Sequence, residues 1–262
     1  MFELGGYLRR LGLSGTPSPA EVHRAHTTAI PFEGLSAHVG EPVPLDQAAL
    51  AAKLVSSGRG GYCFEQNLLL KAALEALGYE VDAYLARVRV GLAPGQVRGR
   101  THLALRVGDG ERSWHADVGF GGGTLIEPIP WGPGDEIEQA GWLYRVVEQD
   151  GEYVLRGIEE GQWADLYSFV PVPAPMVDIE ISNWWVSTSP DSTFVSGYLV
   201  SRQWPDGRRL LLTDWGEAEL IERSPAGTER RAVEKGEVPL LLSERFGLAG
   251  FRLDESGRLA RG

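Results

Sequence analysis

The apolar pattern of this chain changes period at Gly78, and that change limits the possible fold more than any other feature. Before it the signals are helical. Ser18-Pro19-Ala20-Glu21 combines a capping serine, a proline at the first helical position and a glutamate three residues after the cap. A helix follows through Val22–Ala29 and must stop ahead of Pro31. Asp46 caps a second helix over 47–56, broken by Gly58–Gly61, and the apolar run Leu68–Leu77 is a third, closed by Gly78. After Gly78 the period is two. Glu80–Val90 reads as a strand, as does Thr101–Val107, in which Leu103, Leu105 and Val107 alternate with His102, Ala104 and Arg106. Gly108-Asp109-Gly110 turns the chain into a return strand over Ser113–Val118. Strands at Trp142–Glu148 and Tyr153–Ile158 flank a second turn, Gln149-Asp150-Gly151. Beyond the proline-rich Val170–Pro175, strands such as Leu210–Thr213 alternate with a helix near Val238–Phe246. The class is therefore α+β, divided as 1–80 helical, 81–190 β-sheet or barrel and 191–262 a smaller mixed unit.

Composition narrows the function. A net charge of −11 over 262 residues argues against a nucleic-acid partner, which needs a basic face. The single cysteine excludes intrachain disulfides and cysteine-rich metal sites, and fits a reducing, cytoplasmic setting. The N-terminus lacks the pattern of a signal peptide, and no apolar run is long enough to span a membrane.

That cysteine, Cys63, follows two glycines and precedes a run of helix formers, so its sulfur falls in or near the first turn of a buried helix. Unpaired N–H groups and the helix dipole there favour a thiolate, which makes Cys63 a candidate nucleophile. The same setting suits a small buried hydrophobe, and the turn-plus-helix pattern alone leaves both readings standing. A nucleophilic thiol needs a base. Of the five histidines, His102 is best placed, on the strand face opposite Leu103, Leu105 and Val107. The partner strand carries His115 and Asp117, and antiparallel neighbours reach one another diagonally. Asp117 can then orient one ring nitrogen of His102 and leave the other for the sulfur. His115 is the rival base, poorly oriented because it lies two residues from Asp117 on the same face.

Other candidates have plainer explanations. His23 and His26 share a helix face without a third metal ligand, so a solvated face is expected and no metal. Gly119, Gly121, Gly122 and Gly123 follow Asp117 without forming a phosphate-loop motif, although such a turn lets a ligand approach the backbone. Arg87, Arg89, Arg98 and Arg100 can serve an anionic cofactor or simply be solvated. Trp184 and Trp185 fit either a core or a pocket wall.

Taken together, Arg59-Gly60-Gly61-Tyr62-Cys63-Phe64-Glu65-Gln66-Asn67, Thr101-His102-Leu103 and Asp117-Val118-Gly119-Phe120-Gly121 resemble the signature segments of the arylamine N-acetyltransferases. Ile30-Pro31-Phe32-Glu33-Gly34-Leu35 is similar to a further segment, with Gly34 where that family commonly has Asn, and Ser187–Phe194 is similar to another. The resemblance implies a helical bundle, an antiparallel β-barrel and an α/β lid around a core like that of the cysteine proteinases. It implies Cys63 as nucleophile, His102 as base and Asp117 as its orienter. Phe32 and Phe120 would line the acceptor pocket, and Gly119, Gly121, Gly122, Gly123 and Thr124 would approach coenzyme A. The implied activity is ping-pong transfer of acetyl from acetyl-CoA to arylamines or hydrazines. The rivals are an amide synthase that releases a polyketide as a macrolactam and a transglutaminase-like thiol hydrolase. Preferred amine and oligomeric state stay open.

Overall fold

The computed structural model describes residues 2–262 other than 94, 124 and 160, together with all their side chains except that of residue 159. The helical third contains α1 (Leu4–Leu11), α2 (Pro19–Ala29), α3 (Leu35–His38), α4 (Gln47–Leu50) and α5 (Cys63–Ala76). The expected cap of α2 is present: the Glu21 N–H donates to Ser18 Oγ at 3.3 Å and the Ser18 N–H to Glu21 Oε2 at 2.8 Å. Asp46 caps α4 as expected, but the helix widens to a π-type run over Ala51–Ser56. Between α2 and α3 the chain forms a strand, β1 (Phe32–Glu33).

The middle of the chain supplies β2 (Glu80–Val88), β3 (His102–Gly108), β4 (Ser113–Ala116), β5 (Ile129–Pro130), β6 (Ile137–Gln139), β7 (Trp142–Gln149), β8 (Glu152–Glu159) and β9 (Gln162–Phe169). They form one antiparallel sheet in the order β5-β4-β3-β2-β9-β8-β7-β6, curled into a nearly closed barrel. Strand alternation separates two cores. Leu103, Leu105 and Val107 of β3 pack with α5 residues such as Leu69 and Leu70. Ala104 packs inside the barrel with Tyr84, Tyr167 and Phe169. His102 shares the face of Ala104, so it points into the barrel end and away from the helical core.

The last part holds α6 (Met176–Thr188), α7 (Thr193–Ser196), β10 (Tyr198–Gln203), β11 (Arg209–Asp214), β12 (Ala218–Ser224), β13 (Gly227–Ala232), α8 (Val238–Phe246), β14 (Phe251–Leu253) and β15 (Leu259–Arg261). Strands β10 to β13 pair in sequence order, and β1 joins their edge, Phe32 opposite Ser201 and Glu33 opposite Val200. The helical region therefore lends a strand to the C-terminal sheet, a pairing across the whole chain that no local pattern announces. The α+β architecture expected from the sequence is the one observed.

Candidate active site

Cys63 is the first residue of α5, reached through a turn in which both glycines are sterically required. A Cβ on Gly60 would overlap the Pro31 carbonyl oxygen and lie 2.9 Å from Glu33 Cγ; one on Gly61 would lie 2.8 Å from Glu65 Cβ. The Tyr62 N–H donates to Glu65 Oε2 at 3.1 Å, closing the first helical turn. Glu65 is itself buried and paired with Lys53 at 2.7 Å. The thiol is 4% exposed, and its sulfur is 3.6 Å from the Thr101 carbonyl oxygen.

Thr101 leads into His102, and both border the same cavity as Cys63, about 840 Å³ in volume. His102 Nε2 is 2.8 Å from Asp117 Oδ2, with both side chains almost wholly buried. Its Nδ1 remains for a partner on the other side of the ring. Burial alone would raise the Asp117 carboxyl. The His102 charge and hydrogen bonds from His102, Asn67 and the Gly119 N–H overcome this and hold it at about 2. The Asn67 Nδ2 donates to Asp117 Oδ1 at 2.9 Å and to the Leu103 carbonyl at 2.7 Å, while its Oδ1 accepts from the Val118 N–H at 3.1 Å. Asn67 lies four residues after Cys63 on the same face of α5. One amide thus fixes the cysteine helix, the histidine strand and the carboxylate relative to each other.

The sulfur is a less willing anion than its position in the helix suggests. Burial pushes the Cys63 thiol up, the Asp117 charge pushes it further, and the N–H of Phe64 among other backbone contacts only partly compensates. A lone thiolate is therefore disfavoured here. A proton leaves this sulfur readily only if a neighbouring base keeps the resulting charge pair inside the cavity.

A family model described as N-acetyltransferase matches residues 20–252. The arylamine N-acetyltransferase of Mycolicibacterium smegmatis is 38% identical over 255 residues, covering 94% of this chain and 92% of that one. The chain belongs to the arylamine N-acetyltransferase family. The enzyme of that name from Escherichia coli is 32% identical, with 96% of this chain and 93% of that one covered. The structure of the Mycobacterium marinum arylamine N-acetyltransferase in complex with CoA superposes with a TM-score of 0.88 at 34% identity, covering 94% of this chain and 93% of that one.

Phe32 and Phe120 border the same cavity as Cys63, and the Phe120 ring lies 5.1 Å from that of His102. Gly119, Gly122 and Gly123 also border it. Gly121 packs instead against Leu199 and Phe32, and Thr124 lies outside the described residues. Packing accounts for much of this glycine run. A Cβ on Gly119 would come within 2.7 Å of Cys63 Cα, and one on Gly122 within 2.6 Å of Leu211 Cδ2. Arg209 of β11 donates to the Gly122 carbonyl at 3.0 Å and anchors the loop.

One expectation is overturned. His23 and His26 lie on no solvated face; both are fully buried. His23 Nε2 accepts from the Asp117 N–H at 3.1 Å, which puts its proton on Nδ1, 3.0 Å from the Ile126 carbonyl. His26 bridges the Tyr7 hydroxyl at 2.7 Å and Gln66 Oε1 at 2.6 Å, and Gln66 holds the Pro31 carbonyl at 2.8 Å. Burial keeps both histidines neutral, at about 4 and about 3. The helix face reads as polar because its partners, the Asp117 backbone and Gln66, are distant in sequence. His115 does not reach the cavity: it stacks on Trp131 and Phe169, with Nε2 2.6 Å from the Tyr167 hydroxyl. Burial, and then the nearby Asp117 charge, push the Tyr167 hydroxyl well above its ordinary value. The sequence reading missed Asn67 and Tyr167; the four-residue spacing from Cys63 was the one available signal for Asn67. Trp184 and Trp185 are not core, being 65% and 41% exposed, and Trp185 borders the cavity mouth.

Proposed function

We propose that this chain moves an acetyl group from acetyl-CoA to an arylamine or arylhydrazine through a thioester on Cys63. The observation that carries this is a cavity in which Cys63, first residue of a buried helix, shares a wall with a His102 already bound to Asp117. The cavity suits both substrates. Its inner end is aromatic and aliphatic, with Phe32, Phe120 and Leu199, as a flat apolar amine requires. Its lining also carries Arg98, Arg223 and Arg230 beside Asp191 and Glu219, the last paired with Arg230 at 3.8 Å, and these guanidiniums suit the phosphates of coenzyme A.

His102 Nδ1 takes the thiol proton as Cys63 Sγ attacks the thioester carbonyl, and Asp117 stabilises the imidazolium through Nε2. The bond from carbonyl carbon to the departing sulfur breaks, His102 returns the proton to that sulfur, and the acetyl group stays on Cys63. The acceptor nitrogen then attacks the acetyl carbonyl, His102 takes the amine proton, and the Cys63 sulfur leaves and recovers it. An arylamine arrives neutral at pH 7, so its lone pair is available without prior deprotonation. His23 and Asn67 act through Asp117 as positioning residues.

Intact-mass spectrometry after mixing with acetyl-CoA alone tests the covalent step. One added acetyl group is expected on the wild type and none on Cys63→Ala. Wild-type protein that stays unmodified while still acetylating amines would overturn it.

A further inference from the structure

A second cavity, of about 440 Å³, lies behind the cysteine turn and shares no wall residue with the cleft. Pro31 borders it while the next residue, Phe32, borders the cleft, so a single strand separates them. Arg10 from the end of α1 and Arg202 from β10 line it, together with Ser56 and Ser57. No carboxylate lines it. Among the described residues neither arginine has an ion-pair partner, although neighbouring cations do: Lys53 has Glu65, Arg59 has Glu33 and Arg245 has Glu222.

Arg10 spends Nε on the Leu54 carbonyl at 3.3 Å and one terminal nitrogen on the Gly58 carbonyl at 3.5 Å. Arg202 gives one terminal nitrogen to the Arg245 carbonyl at 3.4 Å, and its guanidinium lies over the Trp204 ring at 5.2 Å. Most of the five N–H donors on each guanidinium thus remain uncommitted. Burial, and then the Arg202 charge, lower the Arg10 guanidinium from its ordinary value, so the two like charges feel each other across the cavity. In a chain of net charge −11, two cations that line one recess without a carboxylate partner are an arrangement that a divalent oxyanion would relieve.

We propose that this recess is a second binding site, taking a small phosphate-bearing anion between Arg10 and Arg202. The volume falls within the range of about 300–1,000 Å³ typical of small-ligand sites. It leaves room for a compact organic group beyond the phosphate, so free phosphate and a phosphate monoester share the recognition chemistry.

The test is thermal denaturation and calorimetric titration of the full chain with sodium phosphate and with ribose 5-phosphate, against sodium chloride at matched ionic strength. A saturable rise in Tm is expected with phosphate, absent with chloride. Tighter binding of ribose 5-phosphate assigns the site to monoesters, and equal binding assigns it to phosphate itself. Arg202→Gln should weaken binding at least tenfold, and Arg10→Gln likewise. Because Arg10 also holds the Leu54 and Gly58 carbonyls, Arg202→Gln decides the matter if Arg10→Gln does not fold. Absence of a saturable response overturns the proposal. So does a response that survives Arg202→Gln and disappears in Arg98→Gln, which would place the anion in the cleft.

Discussion

The Phe194 ring fills the space that a β-carbon on Gly34 would occupy. Such an atom would overlap Phe194 Cδ1 and lie 2.8 Å from Cε1, although the backbone of Gly34, at φ −99°, suits any residue. The constraint is steric, not conformational. Phe194 borders the cleft, with its ring 6.0 Å from Phe32 and 5.7 Å from Tyr62. Gly34 therefore decides how far Phe194 settles beside Phe32. Gly34→Ala is expected to push the ring toward the cavity, raising KM for bulky arylamines about tenfold with a smaller change in kcat. Overpacking of this kind costs about 1–3 kcal/mol of stability. Adding Phe194→Leu should recover both, and steady-state kinetics with aniline-sized and bicyclic amines reads the difference.

The buried thiol makes a second prediction. Because burial raises Cys63, the proposed mechanism requires that reactivity at neutral pH depend on His102 accepting its proton. Wild-type Cys63 should be alkylated by iodoacetamide at pH 7, and His102→Gln should slow this about 100-fold or more, with the rate recovering only in strong alkali. A His102→Gln protein that alkylates as fast as wild type would separate the thiol from the imidazole.

The parts of this molecule that were legible in the sequence are those set by neighbours along the chain. Ser18 and Glu21 announce α2, the Gly60–Gly61 turn places Cys63 on the first turn of its helix, and the alternation of β3 assigns His102 to the face opposite Leu103. The hairpin between β3 and β4 then brings Asp117 within reach. What stayed hidden depends on contacts distant in sequence. His23 is buried only because the Asp117 backbone, 94 residues later, comes to its ring. β1 is a strand only because β10 passes beside it. α6 was not recognised because its apolar residues do not keep to one face: Val177, Ile181 and Trp184 are exposed while Ile179 and Val186 join the core.

Three neutral buried histidines impose a pH dependence on stability. His23 and His115 are held at about 4 and His26 at about 3, each by burial, against an ordinary value of 6.5. The unfolded chain takes up these protons near pH 6.5 and the folded chain only near 4 or 3, so the unfolded form binds more protons in between. Stability is therefore complete above about pH 6.5 and falls as the pH drops toward 3. At 1.4 kcal/mol per unit, His23 alone accounts for roughly 3 kcal/mol. Asp117, held at about 2 against 3.8, acts in the same sense over a lower window, full above 3.8 and lost toward 2. Urea midpoints at pH 7, 5.5 and 4.5 should decrease in that order. His26→Gln should lower the pH 7 midpoint and flatten the slope, since one proton fewer is taken up on unfolding. An unchanged slope would show that His26 titrates normally in the folded chain.

Asn67 carries the last prediction, because it bonds Asp117, the Leu103 carbonyl and the Val118 N–H at once. Asn67→Ala leaves a buried carboxylate short of one donor and two backbone groups without partners, a loss of about 1–3 kcal/mol for each unsatisfied group. Removing a donor to the ionised form raises the Asp117 carboxyl, so the acidic limb of kcat/KM should move to higher pH. A merely structural role would lower stability and leave that limb in place. Asn67→Asp sharpens the contrast: it nearly keeps the volume, but sets a second carboxylate against Asp117. Like charges in so dry a site cannot both ionise without large cost, so one proton must be shared between them. The variant should therefore lose activity at neutral pH by about 100-fold, while Asn67→Gln, which keeps the amide on a longer arm, should fall between the two.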